Sequence, residues 1–519
     1  MWSPRNGWRD EIWSRLDQQW DMIIVGGGIT GAGILAEAAR MGKTALLVEA
    51  RDFSSGTSSR STKLVHGGLR YLRQGQVKVT RESVIERERL LREAKGLVTP
   101  LGFFVPTFRN DSMPGWMVGA GLAVYDLIAR KWAHEKYTLE ELIEKVPALT
   151  GAPVKGGYHY YDAQTDDSRL TIRVLREAVR RGGTALNYTR AASLLRTEDG
   201  RVRGVVLRDE AQGRTAEVQA PVVINATGVW ADDLRAHVGG QKKLRPIRGS
   251  HLIFPRERLP IAEAVGLIHP RDGRYVFAVP WEGIVLLGTT DVDHGSDLET
   301  EPCITAEEVE YLLELSRHAF PAADLQLKDI RATWAGVRGV INTGAANPAK
   351  ESREHALWNE EGLITVTGGK LTTFRMMALE TLRAVGLKGK RGEIFDQPED
   401  VVLDERISVE VRGRLLGRYG TETPDVVAAG NGAGLDQIGD APAMWSELAW
   451  AARNEGVVHL DDLLLRRVRL GLLLDRGGMD LVDKIRKVAQ PELGWDDATW
   501  TREEARYREV WSRAYGTKF

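Results

Sequence analysis

Residues 21–50, DMIIVGGGITGAGILAEAARMGKTALLVEA, read as a strand, a glycine-rich turn, a helix, a second strand and a terminal acid. Gly26, Gly28 and Gly31 form G-x-G-x-x-G directly after the apolar run Met22 to Val25, and Glu49 lies 18 residues beyond the last of them. Each part has a physical task. Gly26 permits a tight turn, Gly28 lets backbone N–H groups approach a pyrophosphate, and Gly31 lets the helix pack closely on the strand. The helix N-terminus then faces the anion, and Glu49 is placed to accept hydrogen bonds from ribose hydroxyls. The strand-turn-helix-strand context turns a weak motif into the expectation of a dinucleotide site; the bland alternative is an ordinary glycine-rich turn.

Working outward, 519 residues exceed the size at which one core stops growing, so two or three domains are expected. Hydrophobic residues make up 43% and charged residues 28%, which suits a globular protein with a sizeable core. The net charge of −1 comes from 71 basic and 72 acidic side chains and argues against a general nucleic-acid binder. The single cysteine, Cys303, excludes an intramolecular disulfide and suits a reducing compartment. No metal-ligand pattern is read, and no secretory signal pattern opens the chain.

The most apolar segment, Trp116 to Ala129, is interrupted by Asp126 and falls short of the ~18 residues of a spanning helix, so it is expected as a core helix. Near the start, Trp8, Ile12, Leu16 and Trp20 share one helical stripe among Arg5, Arg9 and Arg15. Two readings stand: an interfacial membrane helix, or a helix docked on the nucleotide domain, which its direct run into the first strand favours.

Further along, helices are expected over about Thr80 to Lys95, Leu139 to Pro147 and Ser168 to Arg181. A hairpin is expected around Gln212-Gly213, and Pro221 to Ala226 is a buried strand ending in Asn225-Ala226-Thr227-Gly228. From Arg245 to Val340, alternation and glycine or proline turns predict an antiparallel sheet, a natural pocket wall. Leu363 to Leu382 again gives strand, Gly-Gly turn and helix. Beyond about Asp400 the pattern is helical and charged, with Asp461 to Leu474 an amphipathic helix. Strand-turn-helix units spread along the chain yet built into one sheet favour an interleaved flavin domain over a contiguous nicotinamide domain.

GGGITGAGI, GTSSRSTKLVHGGLRYL, TDDSRLT, NATG, RGSHLIFP, GTTD, AGVR and TGGKLTTFR occur in the order found in FAD-dependent glycerol-3-phosphate dehydrogenases, which the chain resembles over about residues 20 to 380. RYGTETPDVV and DDLLLRRVRLGLLLD extend the resemblance more thinly. It implies an α/β protein: a Rossmann-like FAD-binding domain over 20–75, 150–230 and 355–390, interleaved with an antiparallel-sheet substrate domain over 76–149 and 231–354, and a helical cap over 400–519. It further implies FAD as cofactor and oxidation of sn-glycerol 3-phosphate to dihydroxyacetone phosphate by hydride transfer to the flavin. Electrons then pass to a quinone, with the enzyme cytoplasmic and peripheral on the inner face of the cell membrane. A homodimer stays open.

The same resemblance marks residues. Arg70, Arg338 and Arg353 match positions used around the substrate, where the planar guanidinium fork suits phosphate; Tyr71 adds a hydroxyl. His251 matches the active-site histidine and is expected as general base or substrate ligand. Lys370, following Gly368-Gly369, is expected near flavin and substrate, where a cation stabilises developing negative charge. Thr57, Ser58, Ser59 and Lys63 offer donors for the pyrophosphate or ring. His66 and Gly67 support the flavin loop, Leu371 and Thr372 lie beside the ring, and Ala226, Thr227 and Gly228 end a strand at the dinucleotide edge. For each cation the plain alternative is a salt bridge joining domains, and for each histidine a satisfied core residue.

Two departures stand out. Gly339-Val340 follows Arg338 where the family has Pro-Leu, and Val229 precedes Trp230 where it has proline. The first bears on the substrate loop and little on FAD binding. Competing readings are a glycerol-3-phosphate oxidase using O2, an amine or hydroxy-acid oxidase of the same superfamily, and a flavin-binding scaffold or tRNA-modification partner without turnover.

Overall fold

The structure is a computed structural model that describes residues 2, 7–69, 72, 76–109, 115–130, 132–295, 297–344, 351, 354–389, 392–396, 401, 403–430 and 433–517. Two large sheets organise it. The first runs in the order His355–Glu360, Leu363–Gly368, Val223–Asn225, Met22–Val25, Ala45–Val48, Thr184–Leu186. All its neighbours are parallel except the first pair, which is a hairpin. Its central strands are buried on both faces, as their unbroken apolar runs require. The helix Ile29–Arg40, almost entirely buried, packs against the helices Asp167–Arg180 and Phe374–Ala384. Segments from four distant parts of the chain thus build one sheet, which is the interleaving the sequence predicts.

The second sheet has ten strands and is antiparallel except where Ala264–Ile268 runs parallel to Val98–Phe108. Its long members Leu244–Pro255 and Ala332–Ile341 pair from Leu244↔Ile341 to Ile253↔Ala332, and this register sets Arg338 opposite Ile247. Strand pairing draws Leu64–Val65 and Val154–Thr165 into this sheet, across the boundaries expected at 75 and 150. The hairpin expected around Gln212-Gly213 is present and belongs to a three-stranded meander, Thr189–Arg196, Val202–Asp209 and Thr215–Gln219.

Packing decides three expectations: it bears out the docked reading of the opening stripe and corrects the other two. The opening stripe is not a free interfacial face: Trp2, Trp8, Ile12, Leu16 and Trp20 are all buried, and Trp2 stacks on Phe53 at 4.9 Å. Arg9 clamps the segment by an ion pair to buried Asp209 at 2.6 Å. Second, the helix Gly115–Ala129 buries only Leu122, Tyr125 and Asp126, so it is a surface helix and not a core one. Its outer face is apolar, with Trp116 70% exposed and Leu127 74% exposed.

Third, Asp461 to Leu474 is not a continuous amphipathic helix. A wide π-turn over Asp462–Arg467 is broken at Arg469, whose φ is 63°, before a short helix Leu470–Leu473. Every residue from Leu460 to Leu474 is buried, because the charged side faces carboxylates instead of water. Arg467 makes two 2.7 Å hydrogen bonds to Asp52, and Arg466 pairs with Asp52, Asp461 and Asp462. Arg469 and Arg418 hold Asp166 at 2.9 and 3.0 Å. The helical C-terminal region is therefore joined to the first sheet through buried, mutually paired charges.

Candidate active site

The glycine motif shows its physical reasons directly. At Gly26 (φ 116°) a Cβ would lie 2.4 Å from the Ala226 carbonyl oxygen, and at Gly31 it would lie 1.9 Å from the Gly26 carbonyl oxygen. Both are packing glycines. Gly28 instead opens the helix Ile29–Arg40 without a side-chain cap and borders a cleft of about 420 Å³. Glu49 accepts the Gly27 N–H at 2.7 Å and the Arg51 N–H at 2.9 Å, so its carboxylate fixes the turn while bordering the same cleft. Burial pushes that carboxyl above its ordinary range, against the backbone hydrogen bonds.

The cleft follows the carboxyl ends of the parallel strands, where open α/β sheets bind ligands. Ala226 and Gly228 border it, as do Thr57 and Ser58. Ser58 Oγ accepts the Ile29 N–H at 2.9 Å, and Thr57 donates to the Val337 carbonyl at 2.6 Å, tying the loop to the second sheet. A helix N-terminus opened by Gly28 and an acid at the strand end fit the pyrophosphate and ribose of a dinucleotide.

Ser59 and Lys63 stand apart from the other donors of this loop, since neither borders the cleft. The Lys63 ammonium is fully buried and donates to the Ser59 carbonyl at 2.7 Å and Asp167 at 2.8 Å, with the Trp334 ring 4.7 Å away. Burial pushes it down to about 8. It is a buried anchor of the loop, in place of the expected cofactor donor. Gly67 is likewise held from behind, its N–H on Asp162 at 3.0 Å; a Cβ there would lie 2.2 Å from the Tyr125 hydroxyl.

A second cavity, about 640 Å³, lies between the two sheets and shares Thr57, Ser61, Arg338, Lys370 and Leu371 with the cleft. One end is cationic and polar. Lys370 leaves the Gly368-Gly369 turn, where both residues have positive φ (77° and 69°), and donates to Ser83 at 2.8 Å. His66 and Thr372 border the same end, joined by a 3.4 Å hydrogen bond from the Thr372 hydroxyl to the His66 carbonyl. Arg338 pairs with Asp291, and its Nε is buried without a hydrogen-bond partner. The other end is apolar, walled by Leu64, Phe103, Val118, Val124 and Phe277.

His251 is buried at this cavity, 5.0 Å from the Trp334 ring. Its Nε2 lies 2.9 Å from Thr62 Oγ1, and its Nδ1 has no hydrogen-bond partner. Burial, helped by the Lys63 charge, pushes the imidazole down to about 3. The ring is therefore neutral over the whole working range. Arg70, Tyr71 and Arg353 lie outside the described residues.

Several site residues were not singled out from sequence. Arg51 stacks over Trp230 at 5.3 Å, both on the cofactor cleft, and its position just past Glu49 was an available signal. Arg60 borders the large cavity and pairs with Glu301, which also accepts the Tyr515 hydroxyl at 3.0 Å. Arg274 and Asp291 border it too, but Arg271-Asp272-Gly273-Arg274 reads as an ordinary turn. Among the described residues no cluster of His, Cys, Asp and Glu is arranged to hold a metal ion.

Residues 21–378 match the family described as FAD dependent oxidoreductase, and residues 380–500 match the C-terminal domain of alpha-glycerophosphate oxidase. The aerobic glycerol-3-phosphate dehydrogenase of Staphylococcus saprophyticus is 34% identical, with 87% of each chain covered. Glycerol-3-phosphate dehydrogenase 2 of Mycobacterium tuberculosis is 36% identical over 96% of this chain and 89% of its own. Among solved structures, the glycerol-3-phosphate dehydrogenase of Bacillus halodurans complexed with FAD superposes with a TM-score of 0.77 at 26% identity, covering 100% and 99% of the two chains. The L-alpha-glycerophosphate oxidase of Mycoplasma pneumoniae with FAD bound shares the fold, with a TM-score of 0.58 at 18% identity, covering 72% of this chain and 97% of its own.

Proposed function

Since this chain belongs to the FAD-dependent oxidoreductases, in their glycerol-3-phosphate dehydrogenase family, we propose that it oxidises sn-glycerol 3-phosphate to dihydroxyacetone phosphate and passes the electrons to a quinone at a membrane surface. One observation carries the reading: a cavity with a cationic end that opens onto the dinucleotide cleft and an apolar end beneath an exposed apolar helix.

Bound FAD supplies the acceptor for the hydrogen removed from carbon 2 of the substrate. Gly28, Glu49, Ser58, Ala226 and Gly228 would hold its dinucleotide part in the cleft. The remaining work falls to side chains of the larger cavity. Arg338 grips the phosphate through its guanidinium, whose buried Nε has no hydrogen-bond partner among the described residues. His251, held through Nε2 by Thr62, takes the hydroxyl proton as the C2–H bond breaks, the step in which the substrate oxygen becomes acidic enough for a weakly basic imidazole. Lys370, at the junction of cleft and cavity, holds a positive charge where the reaction accumulates negative charge. Phe103, Val118 and the walls around them exclude water from the reacting centre.

The apolar end supports a quinone as acceptor. Val118 and Val124 of the helix Gly115–Ala129 line the cavity from inside, while Trp116, Leu127 and, beyond the helix, Trp132 (72% exposed) face outward. Exposed Arg130 follows the helix directly, and Val77, beside exposed Lys78, lines the same cavity. An apolar face edged by tryptophan and cations suits the headgroup boundary of an anionic bilayer, from which a lipophilic quinone would reach the cavity. Among the described residues no helix is long and apolar enough to cross a membrane, so the contact would be peripheral.

Anaerobic stopped-flow of the yellow holoenzyme tests the reading. Glycerol 3-phosphate should bleach the flavin and unphosphorylated glycerol should not; equal rates would overturn the phosphate assignment. Reoxidation should be faster with a quinone analogue than with O2, and stoichiometric peroxide would make the protein an oxidase instead.

A further inference from the structure

At the cationic end two further residues, Arg274 and Asp291, are linked to Arg338. Arg274 precedes the strand Tyr275–Trp281, Asp291 lies between the strands Ile284–Gly288 and Val292–Asp293, and Arg338 sits within Ala332–Ile341. All three side chains border the large cavity. Asp291 is central: its side chain is only 1% exposed, one carboxylate oxygen pairs with Arg338 Nη2, and the other pairs with Arg274 Nη2 at 3.0 Å. Arg274 grips the same residue a second time, its Nη1 donating to the Asp291 carbonyl at 3.1 Å.

The asymmetry of these contacts assigns different tasks. Arg274 holds Asp291 by both backbone and side chain, which fixes the carboxylate in position and rotamer. Arg338 makes a single contact to it through one terminal nitrogen, and its Nε stays buried without a hydrogen-bond partner. A flexible arginine loses rotamer entropy when it binds an anion, and a fixed carboxylate removes part of that cost beforehand. The carboxylate would also weaken anion binding through its charge, so its presence in an anion pocket calls for a geometric reason.

We propose that Arg274 and Asp291 form a splint that orients the Arg338 guanidinium toward the anionic group of the substrate, making both of them positioning residues. The inference rests on the phosphate reading above and deepens it. It separates the two effects that Asp291 could have: a splint makes Asp291 favourable for substrate binding, whereas a mere counter-ion makes it unfavourable.

The experiment compares Arg274→Gln, Arg274→Lys and Asp291→Asn holoenzymes, each alone and combined with Arg338→Ala. Losing a charged hydrogen-bond partner of the gripping arginine should raise KM for glycerol 3-phosphate about tenfold or more. Since the phosphate oxygens take no part in breaking the C2–H bond, kcat should stay within about threefold. Arg274→Lys, which keeps a charge for Asp291, should recover part of the loss. In the Arg338→Ala background the Arg274 and Asp291 changes should alter KM less than about twofold, because the group they orient is gone.

Equal KM effects in both backgrounds, unchanged KM in the first background, or tighter binding by Asp291→Asn would each overturn the splint. Binding of inorganic phosphate, followed by perturbation of the flavin absorbance, supplies a second readout independent of turnover. Should the wild type fail to oxidise glycerol 3-phosphate, the functional reading fails. Phosphate affinity that then weakens in Asp291→Asn would still support the splint, and affinity that strengthens would sink it.

Discussion

Replacing His251 by asparagine removes one titrating ring from a site where burial and the Lys63 charge push its pKa from 6.5 down to about 3. The sign follows from linkage. Between those two values the unfolded chain binds a proton that the folded protein refuses, so this residue's contribution favours folding less as the pH falls below 6.5. Each unit amounts to ~1.4 kcal/mol, which gives about 2 kcal/mol by pH 5. For a chain of this size that corresponds to roughly 2 °C in Tm. The wild type should therefore lose about that much against His251→Asn between pH 8 and pH 5, measured as the difference of their melting temperatures. The same variant removes the proposed base, so anaerobic flavin reduction by glycerol 3-phosphate should slow by about 10²–10⁴ while FAD stays bound. A melting difference that is flat with pH would refute the buried neutral imidazole, and unaltered single-turnover reduction would remove His251 as the base.

Arg338→Ala should lower kcat/KM by ~2–5 kcal/mol, mainly through KM, and leave the Asp291 carboxylate without one of its partners; saturation kinetics read this directly. Gly67→Ala places a methyl 2.2 Å from the Tyr125 hydroxyl and 2.5 Å from Val84 Cγ2, so a loss of about 1–3 kcal/mol is expected in thermal unfolding. Asp52→Asn leaves the buried Arg466 and Arg467 guanidinium groups short of a counter-charge and should cost about 3–5 kcal/mol. Limited proteolysis should then release the helical C-terminal region earlier than in the wild type.

The dinucleotide cleft was legible because its constraints are local. Gly26 and Gly31 leave no room for a side chain, and the Gly368-Gly369 turn needs positive φ twice. Strand and helix types followed from periodicity, and the hairpin around Gln212-Gly213 lies where the turn residues put it. Lys63 misled because a lysine beside a serine-rich loop looks like a ligand donor, whereas its ammonium reaches Asp167, 104 residues away. The Gly115–Ala129 helix misled for a related reason: apolar composition argues for burial only when some other element is there to cover it.

Sequence alone determined the interleaved α/β architecture, the glycine cradle, and the resemblance that carries FAD. Those depend on steric and periodic rules that act within a few residues. Tertiary structure decided which charges are partners: Asp52 with Arg467, 415 residues apart, and Asp291 between Arg274 and Arg338. It also decided that His251 is neutral and that an apolar helix faces outward beside the cavity. Coulomb energy, desolvation and exposure depend on distance in space, and a linear order of residues does not contain that distance.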